Sequence, residues 1–279
     1  MNLRWRSETN SLTVSLLSLY WWTQPKTSTT THSHRAPVQE EPVDIVGHRG
    51  ACGHAPENTL KSFARAIELG CQRVEMDVYV SADLIPVVIH DPTLDRTTDG
   101  KGPVAAMTFA QLKQLDAGDG EKIPSLAEVM HLCRGRVAIQ VELKGRGSPA
   151  LVARQIEEPW GRHNVVITSF ELSLLDEFSR ILPALPLGLL NKNPTLDMIA
   201  IALERRHQWI CPRFDIVDGD LVGRAHEARL FVYAYHVNDP QAGARLIGWH
   251  LDAIGTDHPE MVANLLLAQP HAIRGTKRK

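Results

Sequence analysis

The sequence predicts an α/β chain closed into a (β/α)8 barrel. Three observations lead there. From Val43 onward, short apolar runs of strand character alternate with segments of helical spacing, the signature of a mostly parallel sheet. The alternation continues for enough units to favour closure, with a doubly wound open sheet as the structural rival. At 279 residues and 43% hydrophobic content, the chain can bury one large core, and a single domain is preferred over two smaller ones.

The elements follow in order. Val43 to His48 reads as a first strand. Asn58 is expected to cap a helix in which Leu60, Phe63, Ala64 and Ile67 share a face, with Gly70 ending it. Strands are expected at Arg73 to Val80, Ile85 to His90, Arg136 to Lys144 and Val165 to Ser169. Later ones fall at Pro186 to Leu190, Trp209 to Arg213, Phe231 to Val237 and Ala253 to Asp257. Ser125 with Glu128 forms a capping box ahead of Leu126, Val129, Met130 and Cys133, and Leu196 to His207 is a further amphipathic run. This is one strand more than a barrel of eight requires. Ser81 to Leu84 is also too short for the crossover helix that parallel neighbours need, so the barrel is expected to be irregular there or one strand false. Pro92 to Pro124 lacks a strand-helix pattern and carries Gly100, Gly102, Gly118 and Gly120, which reads as an excursion beside the site.

Bulk properties narrow the class of partner. A formal charge of −2, with 30 basic and 32 acidic residues spread along the chain, offers no broad attraction to nucleic acid or to an anionic membrane. Cys52, Cys71, Cys133 and Cys211 form no C-x-x-C pair, which argues against a zinc cluster or disulfide framework and fits reduced cytosolic thiols. Residues 1–42 read as an N-terminal extension whose polar half buries too little to order itself. Its apolar stretch from Ser11 to Trp22, behind Arg4 and Arg6, is too short to span a bilayer. No stable membrane insertion is expected. A cytoplasmic location is favoured, export being the alternative if residues 1–25 act as a signal segment. The barrel domain is assigned to residues 43–268, with an insertion at about 92–124, and a basic tail to residues 269–279.

The chemistry-bearing residues lie on strands and at their ends. In Val74-Glu75-Met76-Asp77-Val78 the two acids share one strand face, and carboxylates held so close repel unless a divalent cation or a proton joins them. In Val141-Glu142-Leu143-Lys144 the same alternation puts Gln140, Glu142 and Lys144 on one face, as a third metal ligand with a phosphate-binding cation, or as a buried ion pair. His48-Arg49-Gly50 and His90-Asp91 close the first and third strands. An imidazole at a strand end is commonly structural, but two of them flanking the acid pair point to proton transfer, and Arg49 suits bidentate phosphate recognition. Glu57 reads either as a site residue or as a solvated acid in a first helical turn, and Asp257 as no more than a turn former.

Together with Ala55-Pro56-Glu57-Asn58-Thr59, Leu94-Asp95-Arg96-Thr97-Thr98, Thr168-Ser169-Phe170 and Thr256-Asp257-His258-Pro259, these strings resemble the glycerophosphodiester phosphodiesterase family over roughly Val43 to Ala268. The resemblance implies a TIM barrel with a small insertion after the third strand. It implies one divalent cation, Mg²⁺ or Ca²⁺, on Glu75, Asp77 and Glu142, with His48 and His90 as general acid and base. Arg49 and Lys144 would hold the phosphate of a small glycerophosphodiester, hydrolysed to glycerol 3-phosphate and an alcohol. In one mechanism suggested for such enzymes, the glycerol 2-hydroxyl attacks phosphorus and water then opens the cyclic phosphate. Where the family usually has Trp-Thr-Val-Asn, this chain has Tyr235-His236-Val237-Asn238, so Tyr235 is expected to keep an aromatic wall of altered size and polarity. His54 stands where a Tyr is common, as a fitted loop side chain or an extra polar contact. Competing activities are a lysophospholipase D or sphingomyelinase D type on the same barrel, or a non-catalytic barrel that binds phosphodiesters.

Overall fold

The computed structural model describes residues 43–156 and 164–268. The extension at 1–42 and the tail at 269–279 lie outside them. Nine strands form a single sheet: β1 (Asp44–Gly47), β2 (Arg73–Val80), β3 (Pro86–Val88), β4 (Ala138–Leu143), β5 (Val165–Ser169), β6 (Leu187–Asn191), β7 (Trp209–Pro212), β8 (Phe231–Ala234) and β9 (Ala253–Thr256). All except β3 are parallel to their neighbours, and β1 pairs with both β9 and β2, which closes the ring. Helices α1 (Leu60–Glu68), α3 (Leu126–Cys133), α4 (Ser148–Ile156), α5 (Leu172–Ile181), α6 (Met198–Arg205), α7 (Gly219–Glu227), α8 (Pro240–Gly248) and α9 (Pro259–Ala268) connect the strands, and the short α2 (Phe109–Leu112) lies in the excursion.

The surplus strand resolves the irregularity at Ser81 to Leu84. No crossover is needed, because β3 turns back antiparallel on β2, with Val78 opposite Val88 and Val80 opposite Pro86. The strand therefore descends toward the barrel, and Ile89 donates its N–H to the carbonyl of Asp77 (3.0 Å). Residues 92–124 are less featureless than their sequence. They contain α2 and a 3₁₀ turn at Val104–Ala106, over a small core of Val87, Ile89, Leu94, Val104, Leu112, Ala117 and Ile123.

Alternation along the strands sorts side chains into two layers. Val74, Met76, Val78, Ile139, Val141 and Leu143 face outward into the layer shared with the helices, while Val46, Val166, Trp209, Cys211, Tyr233 and Tyr235 fill the barrel. Strand ends are shorter than their apolar runs; past Ala234 the β8 segment keeps an isolated parallel bridge between Tyr235 and Arg213 and a hydrogen bond from Val237 N–H to the Gly255 carbonyl (2.7 Å). Ser125 and Glu128 form the expected capping box. For α1 the cap is Thr59, whose side chain accepts from Ser62 N, and not Asn58. Among the described residues no helix is long and apolar enough to cross a membrane.

Candidate active site at the barrel mouth

Three carboxylates meet at the C-terminal ends of β2 and β4. The parallel register sets Asp77 beside Glu142 and Glu75 beside Gln140, and one oxygen from each acid falls within 4.8 Å of the others. All three are buried, Asp77 to 1% exposure. Burial and then the charges of Asp77 and Glu142 push the Glu75 carboxyl well up, and burial and Asp77 lift Glu142 to about 8. Asp77 goes the other way. Against burial that would raise it, Lys144 and Arg49 hold it well below the usual range. Lys144 Nζ reaches both Asp77 (3.1 Å) and Glu142 (2.8 Å), so the buried pair and the acid cluster are one arrangement. Three buried acids against so few cations leave an excess of negative charge that oxygen-coordinated divalent ions suit.

The turn after β1 delivers two further groups. Arg49 has φ +49° and Gly50 φ +83°, and a Cβ on Gly50 would stand 2.3 Å from Ser62 Oγ, so the chain reverses sharply against α1. This aims the Arg49 N–H at Glu75 (3.0 Å) and its guanidinium at Glu57 (2.7 Å) and Asp77 (3.3 Å). Asn58, held at φ +58°, is a buried donor to Asp77 (2.9 Å). Its role is to orient a carboxylate; the helix does not need it. Glu57 is likewise no solvated acid, since it also receives Arg96 at 2.8 Å, and Arg96 and Arg49 hold it ionised despite burial.

Each histidine has a carboxylate on Nδ1. His48 lies 2.6 Å from Asp257 and stacks on His236 with ring centroids 3.4 Å apart. Asp257 is thus more than a turn former. It also accepts from Asn238 Nδ2 (2.6 Å) and Cys52 Sγ (3.0 Å), and against burial the bonds from His48 and Cys52 hold it ionised. Burial and then the hydrogen bond and charge of Asp257 drive the Cys52 thiol far up, leaving it an uncharged donor. His90 lies 2.5 Å from Asp91, which Arg96 and His90 bring down to about 2. Descent of β3 is what carries His90 to the level of Asp77. Burial, with Arg49 and Lys144, lowers its proton affinity against the pull of Asp77. Tyr235 lines the opposite side, edge-on to the half-exposed Phe170 at 5.8 Å. Its hydroxyl is buried with no hydrogen-bond partner among the described residues.

All eight residues singled out in the sequence therefore gather at one mouth. Reading the sequence missed the supporting set of Asn58, Asp91, Arg96, His236, Asn238 and Asp257. Strand-end position was an available signal for Asp257, which follows β9 as His48 follows β1.

Paired imidazoles beside clustered acids at the C-terminal face of a barrel are hydrolytic equipment. The model of the glycerophosphoryl diester phosphodiesterase family matches residues 48–261, and the chain belongs to that family. A glycerophosphodiester phosphodiesterase of Caldanaerobacter subterraneus is 32% identical over 235 residues, covering 80% of this chain and 97% of the relative. Among solved structures, an Oleispira antarctica phosphodiesterase in complex with the product sn-glycerol-3-phosphate superimposes with a TM-score of 0.76 at 28% identity, over 80% of this chain and 96% of that one. A glycerophosphodiester phosphodiesterase from Agrobacterium tumefaciens gives 0.72 at 29% identity, over 80% and 99%.

Proposed function

We propose that this protein is a metal-dependent glycerophosphodiester phosphodiesterase, acting in glycerophospholipid breakdown to release glycerol 3-phosphate and an alcohol. The observation that carries it is the convergence of Glu75, Asp77 and Glu142 between two carboxylate-held imidazoles at one barrel mouth. The product named in the Oleispira antarctica complex supports the substrate class.

The acid trio fits one Mg²⁺ or Ca²⁺, because its donors are all oxygens and because burial and mutual repulsion raise the proton affinity of Glu75 and Glu142, a strain that a divalent cation would relieve. When bound, such a cation draws charge from the phosphoryl oxygens. Arg49 and Lys144 set the rest of the electrostatics, supplying the cations nearest the trio and able to exchange carboxylate for phosphate oxygens. His90, kept neutral by burial, accepts the proton of the attacking hydroxyl on Nε2, since Asp91 engages Nδ1. His48, with Asp257 on its own Nδ1, gives a proton from Nε2 to the departing alkoxide, and the two histidines exchange roles when water opens the cyclic phosphate to glycerol 3-phosphate. Tyr235 borders the space where the alcohol leaves, with an unspent hydroxyl for a polar head group.

The test is a panel of glycerophosphodiesters with added Mg²⁺, Ca²⁺ or Mn²⁺, alongside lysophosphatidylcholine. Turnover of glycerophosphocholine or glycerophosphoethanolamine is expected, abolished by a chelator and by Glu142→Gln. Turnover of the lipid alone, or undiminished rates in chelator, would overturn this reading.

A further inference from the structure

Beside the mouth, the loop after β1 lies against the loop after β9. Gly53 donates its N–H to the carbonyl of Asp257 (3.1 Å), and a Cβ on Gly53 would stand 2.4 Å from Cε1 of His258. Any side chain there would displace that imidazole. One residue on, His54 Nε2 is 2.9 Å from Glu260 Oε2, and His258 Nδ1 is 3.7 Å from Oε1 of the same carboxylate. The two imidazoles meet edge to face, with centroids 5.6 Å apart. One ligand atom from each of the three residues lies within 4.8 Å of the other two. Side-chain exposures of 30% for His54, 44% for His258 and 41% for Glu260 leave the group open to solvent.

The donor set differs in kind from the trio at the mouth. Two imidazole nitrogens and one carboxylate suit cations such as Zn²⁺, Co²⁺ or Ni²⁺, whereas Mg²⁺ and Ca²⁺ prefer oxygen. A plain ion pair between His54 and Glu260 would require no second imidazole, yet His258 is brought to the same carboxylate by a backbone that only glycine allows to come so near.

We propose that His54, His258 and Glu260 form a second metal site, for a single Zn²⁺-class cation, that ties the loop carrying His48 to the loop carrying Asp257. Loading it takes both imidazoles in their neutral form and replaces the His54–Glu260 hydrogen bond by two metal bonds, with water completing the coordination. Because the three ligands meet only in the folded chain, the cation stabilises the native state in proportion to its occupancy.

The experiment titrates the full chain, held in excess Mg²⁺, with Co²⁺ and with Zn²⁺, followed by calorimetry, visible absorption and thermal melting. Wild type is expected to take up one equivalent more than His54→Gln or His258→Gln. Each substitution should weaken that binding at least ~10-fold. Zn²⁺ should raise Tm in wild type and not in the variants. The Co²⁺ spectrum should lack a thiolate charge-transfer band. Equal uptake and equal Tm shifts in wild type and both variants would overturn the proposal. So would a charge-transfer band abolished by Cys52→Ser, which would put the cation on Cys52, His48 and Asp257 instead. Uptake and Tm are read without hydrolysis, so failure here leaves the phosphodiesterase reading standing, and failure of that reading leaves this site standing.

Discussion

The two histidine–aspartate pairs at the mouth are built by different means. His48 has an 8% exposed side chain, and its partner Asp257 is 209 residues away in sequence, brought alongside by the pairing of β1 with β9. Asn238 and Cys52 fix that carboxylate, and His236 covers the ring. His90 is 31% exposed and its partner is the next residue, steadied by the exposed Arg96 and, through it, the half-buried Glu57. One imidazole is held by closure of the barrel, the other by an appendage to it. The first is enclosed by the barrel, while the second is partly open to solvent.

Deleting either ring is expected to have the largest effect. His48→Ala and His90→Ala should each lower kcat by about 10²- to 10⁴-fold in a chain that still folds, with the larger drop in Tm at the buried His48, and an undiminished rate in one would remove it from the reaction. Next come the partners, where the pairs should separate. Asp257→Asn is expected to cost about 10- to 100-fold in kcat, and Asp91→Asn clearly less, because only His48 depends on a partner locked from three sides. Equal losses would show that rigidity of the partner is immaterial. A smaller effect is expected from His236→Thr. An aromatic contact contributes about 0.5–1.5 kcal/mol, so losing the stack should change kcat about 2- to 10-fold and shift its pH profile, desolvation and then His48 holding the half-buried His236 ring near pKa 3.

A third such pair, His226 with Asp252 at 2.9 Å, lies at the opposite end of the barrel and serves as the control. Its hydrogen bond to Asp252 raises the His226 pKa above the ordinary 6.5. A raised imidazole contributes stability that is fully present below the unfolded value and lost as pH rises through the folded one. The Tm advantage of wild type over His226→Gln should therefore be greatest in acid and fade above neutrality. It should be small, since the ring is 38% exposed, and kcat should not change.

What could be read from sequence divides along the same line. Glu75, Asp77, Glu142 and Lys144 were legible because strand alternation fixes the face of a side chain whatever the rest of the chain does. Strand β3 lies within the run expected at Ile85 to His90, but its antiparallel pairing showed only as an anomaly of spacing, since pairing direction depends on the hairpin and not on the run of Val87, Val88 and Ile89. Asn58 looked like a cap because Asn favours both caps and left-handed backbone, and Thr59 next to it took the first role while Asn58 took the second. Asp257, Asn238 and Arg96 sit in loops, where no periodicity points to a partner, and their contacts are created by ring closure or by the excursion.

Strand β3 turns back where a parallel neighbour would have needed a helix, and so His90, Asp91 and Arg96 enter the site from outside the closed ring. His90, one of the two imidazoles of the proposed acid–base pair, thus rests on a segment with its own small core, packed beside the closed ring. Rebuilding that segment would change the reactivity and reach of one imidazole without disturbing a single hydrogen bond among the eight strands that hold the other.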